Sequence, residues 1–273
     1  MKRKRILRYV ILVIWALLCL FPLYWMVRSS FMDNIDMFAV PLVWIPKDFS
    51  FLYYKAGLSA IPFFRYIGNT MIIVLTNIVG AMFSASLAAF GFSRVKFRGQ
   101  GVCFDLVLAT MMLPSSILLV PMFLIWKNLG AYDTYIPLIA QNFFINGFFI
   151  FMLRQFFMGI PRSFDEAAYM DGASYFTVYT RIILPLARPS LVACGVFCFM
   201  NKWNEFLEPL IYLKTMDKYT ISLGLKYFIS EYTTEWSNLM ADSVIAIIPR
   251  LIIFFVAQKN FVNGGVSTGV IKG

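Results

Sequence analysis

Four stretches of this 273-residue chain carry no charged side chain and are each about as long as a bilayer is thick: Tyr9–Val27, Tyr66–Ser93, Leu106–Trp126 and Thr134–Leu153. An α-helix needs about 20 consecutive, predominantly apolar residues to cross the hydrocarbon core. Inside lipid, a helix also satisfies its own backbone N–H and C=O groups, which an irregular segment cannot do. Two further runs are weaker. Pro189–Asn201 is uncharged and then meets Lys202, Glu205 and Glu208, and Ser243–Gln258 is interrupted by Pro249 and Arg250. The expected fold is all-α: a multi-spanning membrane bundle of about six helices. Composition agrees, because 60% hydrophobic and 14% charged residues leave too little polar surface for a soluble domain, which carries about 25% charge. The bilayer is the solvent.

The distribution of charge orients the bundle. Six helices place both termini on one side, and basic residues collect on the cytoplasmic side. One side then holds the amino-terminal Lys2–Arg5 cluster with Arg8, then Arg94, Lys96, Arg98 and Asp105, the Arg154–Arg188 segment and the tail lysines. That is fourteen basic residues against four acidic ones, whereas the remainder of the chain has ten of each. The net charge of +10 therefore marks topology, not a nucleic-acid footprint. The first apolar run is longer than the core of a secretory signal, and no small-x-small cleavage site follows it, so it reads as a retained helix.

Several chemistries are excluded. With no histidine in the chain, His-based acid–base catalysis and His-ligated metals are absent. Cys19, Cys103, Cys194 and Cys198 lie in apolar stretches without metal or disulfide-framework spacing. Cys194 and Cys198, at i,i+4, read as small packing residues, with a redox pair as the alternative. Gly265-Val266-Ser267-Thr268-Gly269 matches the G-x-S-x-G hydrolase elbow by letter, but no base and no sheet accompany it. No Gly-Lys dipeptide occurs, so no phosphate-binding loop of the G-x-x-x-x-G-K-[ST] kind can form.

The inner loop between the fourth and fifth spans, roughly Arg154–Arg188, carries the most information. Ser163 and Glu166 have capping-box spacing, which predicts a short helix starting at Ser163. Gly172 can close it in the left-handed conformation. Ser174 can then cap a second helix, Tyr175 to about Leu184, with Pro185 as its stop. The expected result is a two-helix knob outside the membrane with a small-residue face at Ala167, Ala168 and Ala173. Such a face suits close approach by a soluble partner. The alternative is an amphipathic loop lying on lipid headgroups.

Glu166-Ala167-Ala168, three residues, Gly172, nine residues, Ile182, one residue, Leu184-Pro185 resembles the EAA motif of ATP-binding-cassette (ABC) importer permeases. Other stretches resemble the carbohydrate-type subgroup: Met111-Met112-Leu113-Pro114 with Pro121, Trp203-Asn204-Glu205-Phe206 with Pro209, Pro249, and the tail from Gln258 to Gly273. In the tail, Gly264-Gly265 makes the pattern one residue longer than usual. The resemblance implies that the loop is a coupling helix docking on an ATPase. It implies that Glu166 caps the helix and makes polar contact, that Ala167 and Ala168 pack closely, and that Asp171-Gly172 forms the turn. Ile182, Leu184 and Pro185 would anchor the second helix. It further implies a second permease subunit, two nucleotide-binding ATPase subunits that hold ATP and magnesium, and an extracytoplasmic solute-binding protein. This chain itself would carry no cofactor and sit in a bacterial cytoplasmic membrane with both termini inside.

The organisation expected on this basis is residues 1–68 as first helix and outer loop, 69–258 as the permease domain and 259–273 as a cytoplasmic tail. Polar residues inside apolar helices are candidates for a solute path. Asn142 and Asn146, at i,i+4 on one helix, are the leading pair for sugar hydroxyls, followed by Asn201, Glu205 and Arg250. Interhelical hydrogen bonding is the competing role for the asparagines, and structural pairing is the competing role for Arg250. Gly80, Ser84 and Ala88 read as a helix-packing face. An intramembrane enzyme or an ion-coupled transporter would need a buried catalytic set or a repeat around an ion site, and neither is visible.

Overall fold

Each apolar run becomes a helix or a bent pair of helices. The computed structural model describes residues 2–144, 146–229 and 234–270, with side chains for 6–114, 116–144, 146–229 and 234–258. In chain order the helices are α1 (Lys2–Ser29), α2 (Asn34–Met37), α3 (Leu52–Ala60), α4 (Phe63–Arg94), α5 (Gln100–Met112), α6 (Ser115–Asn128), α7 (Ile136–Phe144) and α8 (Gly147–Gly159). They continue as α9 (Ser163–Met170), α10 (Tyr175–Val178), α11 (Leu184–Leu186), α12 (Arg188–Trp203), α13 (Leu207–Tyr212), α14 (Ile221–Gly224) and α15 (Trp236–Val270). Among the described residues, four helices or helix pairs are long and apolar enough to cross a membrane unbent, and two bent pairs bring the number to six. This agrees with the expected all-α fold.

Two of the expected single helices are corrected. The run Leu106–Trp126 divides into α5 and α6, bent by 102°. Pro114 is the cause: its ring pushes Leu113 into extended backbone (φ −80°, ψ 119°), and the helix restarts at Ser115. The run Thr134–Leu153 divides into α7 and α8, because Asn146 is extended (φ −122°, ψ 96°) and caps α8 by accepting from the Phe149 N–H. Asn142 and Asn146 therefore do not share one helical face. At the other end, α15 continues to Val270, so Gly265–Gly269 is helical backbone and not an elbow. The side chains of the tail from Lys259 on, and Ile271–Gly273 altogether, lie outside the described residues, as do the side chains of Met1–Arg5.

The chain forms two units. One comprises residues 1–67 and 221–249. Here the buried Arg28 guanidinium reaches the Val43 carbonyl from Nε at 2.8 Å and lies 4.4 Å over the Trp25 ring. Asn34 ties the segment that follows α1 to the start of α15 by accepting from the Ser237 N–H and Oγ–H. Gly57 is required on α3, because a Cβ there would stand 2.5 Å from Oδ1 of the fully buried Asp242.

The other unit comprises residues 68–220 and 250–273. Its core is built on the small-residue row Ala81, Ala85 and Ala89 of α4, packed with Leu153 and Phe157 of α8 and with Val178, Tyr179 and Ile183. Small side chains let membrane helices approach closely, which replaces the hydrophobic driving force that lipid cannot supply. The expected packing face is present as well. A Cβ on Gly80 would come within 2.4 Å of the Phe143 ring, and Ser84 donates to the Asn142 carbonyl at 3.0 Å. Cys194 and Cys198 are buried free thiols in this core, in line with the packing role.

On the loop between α6 and α7, Asp133 holds the 214–218 turn. Its carboxylate accepts from the Lys214 and Thr215 N–H groups at 2.9 and 3.0 Å, from the Thr215 hydroxyl and from Lys218 Nζ. These bonds hold the carboxyl well below the usual carboxylate range, the Thr215 bonds most of all. A depressed folded pKa gives stabilisation that is present above the unfolded value, about 3.9, and lost as pH falls through the folded one. The stability difference between the wild type and Asp133→Asn is expected to be largest near neutral pH and to shrink below about pH 4. Thermal melts of both proteins at pH 7 and pH 3 check this.

Candidate functional site

The knob forms, although its first cap is not the expected one. α9 begins with Arg162 as its capping position, without a side-chain hydrogen bond, and Ser163 is its first helical residue. Ser163 and Glu166 therefore do not form a capping box. The carboxylate of the exposed Glu166 is left free of hydrogen bonds among the described residues. The end of α9 is as expected. Gly172 has φ +82°, its N–H reaches the Tyr169 carbonyl at 3.0 Å, and the Ala173 N–H reaches the Ala168 carbonyl at 2.9 Å. This paired closure is the Schellman arrangement, in which a left-handed residue satisfies the last carbonyls of a helix. Ser174 caps α10 by accepting from the Thr177 N–H at 3.2 Å.

The second helix does not stop at Pro185. After Val178 the backbone widens into a π-turn over Tyr179–Ile183 and then continues as α11 with Pro185 inside it. A proline lacks the N–H that would bond four residues back and its ring crowds that carbonyl. The wider turn removes the conflict. The bend comes at Ala187, where α11 and α12 diverge in a pair bent by 75°. Ile183, fully buried with Val178, carries most of the anchorage; Ile182 and Leu184 pack on the core from partly exposed positions, and Pro185 is exposed.

The expected small-residue face is also redistributed. Ala168 and Ala173 pack on the core of this chain, while Ala167, Glu166 and Asp171 face outward. The outward surface is apolar in large part through residues outside the motif: Met170 is 88% exposed and Phe176 69%. Unbranched methionine and a flat ring, standing clear of the spans, form a patch suited to burial by a partner.

A buried ion pair sets the position of the knob. Arg94, the last residue of α4, donates from Nη2 to the carbonyls of Phe157 and Ile160 at 2.8 Å each, and its Nη1 lies 3.1 Å from Oδ2 of Asp165. One guanidinium thus joins the end of α4, the end of α8 and the first turn of α9. Burial pushes the Asp165 carboxyl up, and the Arg94 charge pulls it back in part. In the sequence both residues count only as charge. Their sole signal is that a basic residue ends a span while an acidic one opens the loop. Beside the pair lies a cavity of about 520 Å³ lined by basic residues, among them Lys96, Arg154 and Arg162.

The path candidates are placed as follows. The Asn142 amide, 8% exposed, donates to Oδ1 of Asn77 and accepts from Asn146 Nδ2 at 3.0 Å, and Asn77 donates to the Leu138 carbonyl at 3.0 Å. These asparagines join α4, α7 and α8. Glu205 accepts from the Leu207 and Glu208 N–H groups and so closes the start of α13. Arg250 is half-buried with Nε 3.0 Å from the Met200 sulfur, and Asn201 is exposed on α12. A separate cleft of about 360 Å³ lies among α6, α7 and α13, where Trp126, Phe144 and Tyr212 stand with Gln141 and Glu208. Trp126 Nε1 is buried without a hydrogen-bond partner among the described residues.

Apolar spans with a helix-turn-helix knob between two of them define a polytopic membrane protein. The chain belongs to the family described as binding-protein-dependent transport system inner membrane component, which matches residues 78–264. It is 34% identical to the probable ABC transporter permease protein YurM of Bacillus subtilis (strain 168), over 97% of this chain and 88% of that one. The arabinooligosaccharides transport system permease protein AraQ of the same organism is 31% identical over 94% and 92%. Among solved structures, a bacterial ABC transporter involved in the import of the acidic polysaccharide alginate has a chain that superposes with a TM-score of 0.83 at 26% identity, covering 94% of this chain and 96% of that one. The family makes this chain a transport component of an ABC system.

Proposed function

We propose that this chain is one half of the membrane pathway of an importer for an oligosaccharide or sugar-like solute, driven by ATPases that dock on the knob at Glu166–Pro185. The observation that carries this reading is the knob itself. Its turn is closed at Gly172, its inner side packs on the bundle, and its outer side presents Glu166, Met170 and Phe176, all exposed among the described residues. A rigid lever exposed outside the spans is what a reciprocating partner needs to bias the bundle between two states. The remaining partners are a second permease subunit and an extracytoplasmic solute-binding protein, with ATP and magnesium held by the ATPases. The basic face, and both termini, lie in the cytoplasm of a bacterial cell.

The arabinooligosaccharide and alginate systems among the relatives support a carbohydrate solute. The Trp126–Tyr212 cleft suits one: flat aromatic surfaces with a few polar groups favour a sugar ring, and the unpartnered Trp126 N–H is a donor for a hydroxyl. The polar side chains Asn142, Asn146, Asn201, Glu205 and Arg250, none of which lines that cleft, are assigned to the remainder of the path. Trp126→Ala is expected to raise the KM for uptake about tenfold, the equivalent of about 1.4 kcal/mol, with the maximal ATPase rate kept.

The whole reading is tested in proteoliposomes of the assembled importer with solute-loaded binding protein outside and a panel of labelled oligosaccharides. Uptake is expected to require ATP in the compartment facing the knob and to be unaffected by collapsing ion gradients. Uptake that follows an ion gradient without ATP overturns it.

A further inference from the structure

The cavity beside the Arg94–Asp165 pair has the chemistry of an anion site. Lys96, Arg154 and Arg162 line it against a single lining carboxylate, Asp105. Among the described residues none of the three makes an ion pair. Arg154 is oriented in place: its Nε donates to the Phe92 carbonyl at 3.1 Å and its guanidinium lies 3.9 Å over the Phe104 ring. Arg94, with its side chain 2% exposed, also lines the cavity, and its Nε has no hydrogen-bond partner among the described residues. The amino-terminal turn of α5 joins them through Gln100 and Gly101. That turn starts at the left-handed Gly99 (φ +81°) with no side-chain cap; the Gln100 N–H bonds the Phe97 carbonyl at 3.3 Å, and the next amides of the turn, beginning with Gly101, add the positive end of a helix dipole. Fixed guanidinium, mobile ammonium and free amides around about 520 Å³ match a tetrahedral, doubly hydrogen-bonding anion.

We infer that this cavity binds a phosphate group, supplied by an anionic phospholipid headgroup at the membrane surface. A basic pocket where spans emerge is the place at which anionic lipid is retained. Arg94 also holds the first turn of α9, so an anion seated against it would brace the knob on the membrane side. The inference rests on the proposed topology only for which leaflet supplies the lipid.

The test uses the assembled importer purified into nanodiscs of phosphatidylcholine containing graded phosphatidylglycerol, with lipids retained after detergent extraction counted by native mass spectrometry. Phosphatidylglycerol is expected to be retained over phosphatidylcholine. Lys96→Gln is expected to weaken retention about fivefold, the worth of one basic residue at a charged surface. Arg98→Gln, an equally exposed cation outside the cavity, is expected to leave it unchanged. Binding of inorganic phosphate at millimolar concentration is the second arm; if phosphate binds with a dependence on Lys96 while the lipid is not retained, the site is one for free phosphate and the lipid assignment fails. Equal losses with Lys96→Gln and Arg98→Gln, or no preference for phosphatidylglycerol together with no binding of phosphate, overturn the cavity itself. Labelling of Lys96→Cys from either side, with exposed native thiols replaced, reports the topology separately.

Discussion

Arg94→Ala is expected to leave the protein inserted in the membrane and to abolish solute uptake, with the knob detached from the bundle. Removing one member of a buried pair costs about 3–5 kcal/mol, because the other charge stays buried without compensation. Here the loss falls on one joint. The two carbonyls at the end of α8 lose their donor, and Asp165 in the first turn of α9 loses its counter-charge. A penalty of that size shifts a local opening equilibrium by about two to three and a half powers of ten. Asp165→Ala is expected to act in the same direction, leaving Arg94 held only by the carbonyls. The pair itself contributes little net stability once desolvation is counted. The double substitution Arg94→Leu with Asp165→Leu is therefore expected to melt closer to the wild type than either single one, a coupling that a double-mutant cycle measures. Solute-stimulated ATPase and uptake should stay low in the double variant, because the carbonyls of Phe157 and Ile160 still lack a tie to α4. Full uptake in Arg94→Ala would show that the joint does not position the knob.

The parts of the fold visible in the sequence were those governed by long apolar runs. Length and the absence of charge located four spans, since lipid forces helix on any such run, and two weaker apolar runs marked the last two. The breaks within the runs were harder to see. Pro114 bends one span by 102°, yet Pro121 and Pro249 lie inside continuous helices, so the residue type alone does not distinguish a corner from a tolerated proline. The break at Asn146 had no proline or glycine before it and depended on a side-chain cap that only the folded neighbours of Asn142 explain. In the knob, Gly172 and Ser174 were legible because each acts on its own backbone. Ser163 was misread because its role depends on where Arg162 enters the helix. The Arg94–Asp165 pair spans seventy-one positions and had no local pattern at all. The outward patch at Met170 and Phe176 was missed for a related reason: which side of a short helix faces the bundle is decided by the core it packs on.

Gly172→Asp is expected to separate folding from coupling. Gly172 sits at φ +82°, and a Cβ at this position would have open space for 4 Å around it, so the substitution meets no clash. A non-glycine residue in left-handed backbone costs about 1–2 kcal/mol, least for asparagine and aspartate, whose short side chains bond locally. Insertion and assembly with the second permease should therefore persist. The position is exposed beside Asp171 and between the outward ends of α9 and α10, where a further carboxylate would have to be buried against the partner. Burying a charge without a counter-charge outweighs the contact that the apolar patch provides. Uptake should fall below detection and solute should no longer stimulate the ATPase. Gly172→Asn makes the same demand on the backbone without the charge, so it should retain a measurable part of both activities. If the two variants fail equally, the requirement at this position is the turn alone. If Gly172→Asp transports at the wild-type rate, the ATPases do not dock at this turn.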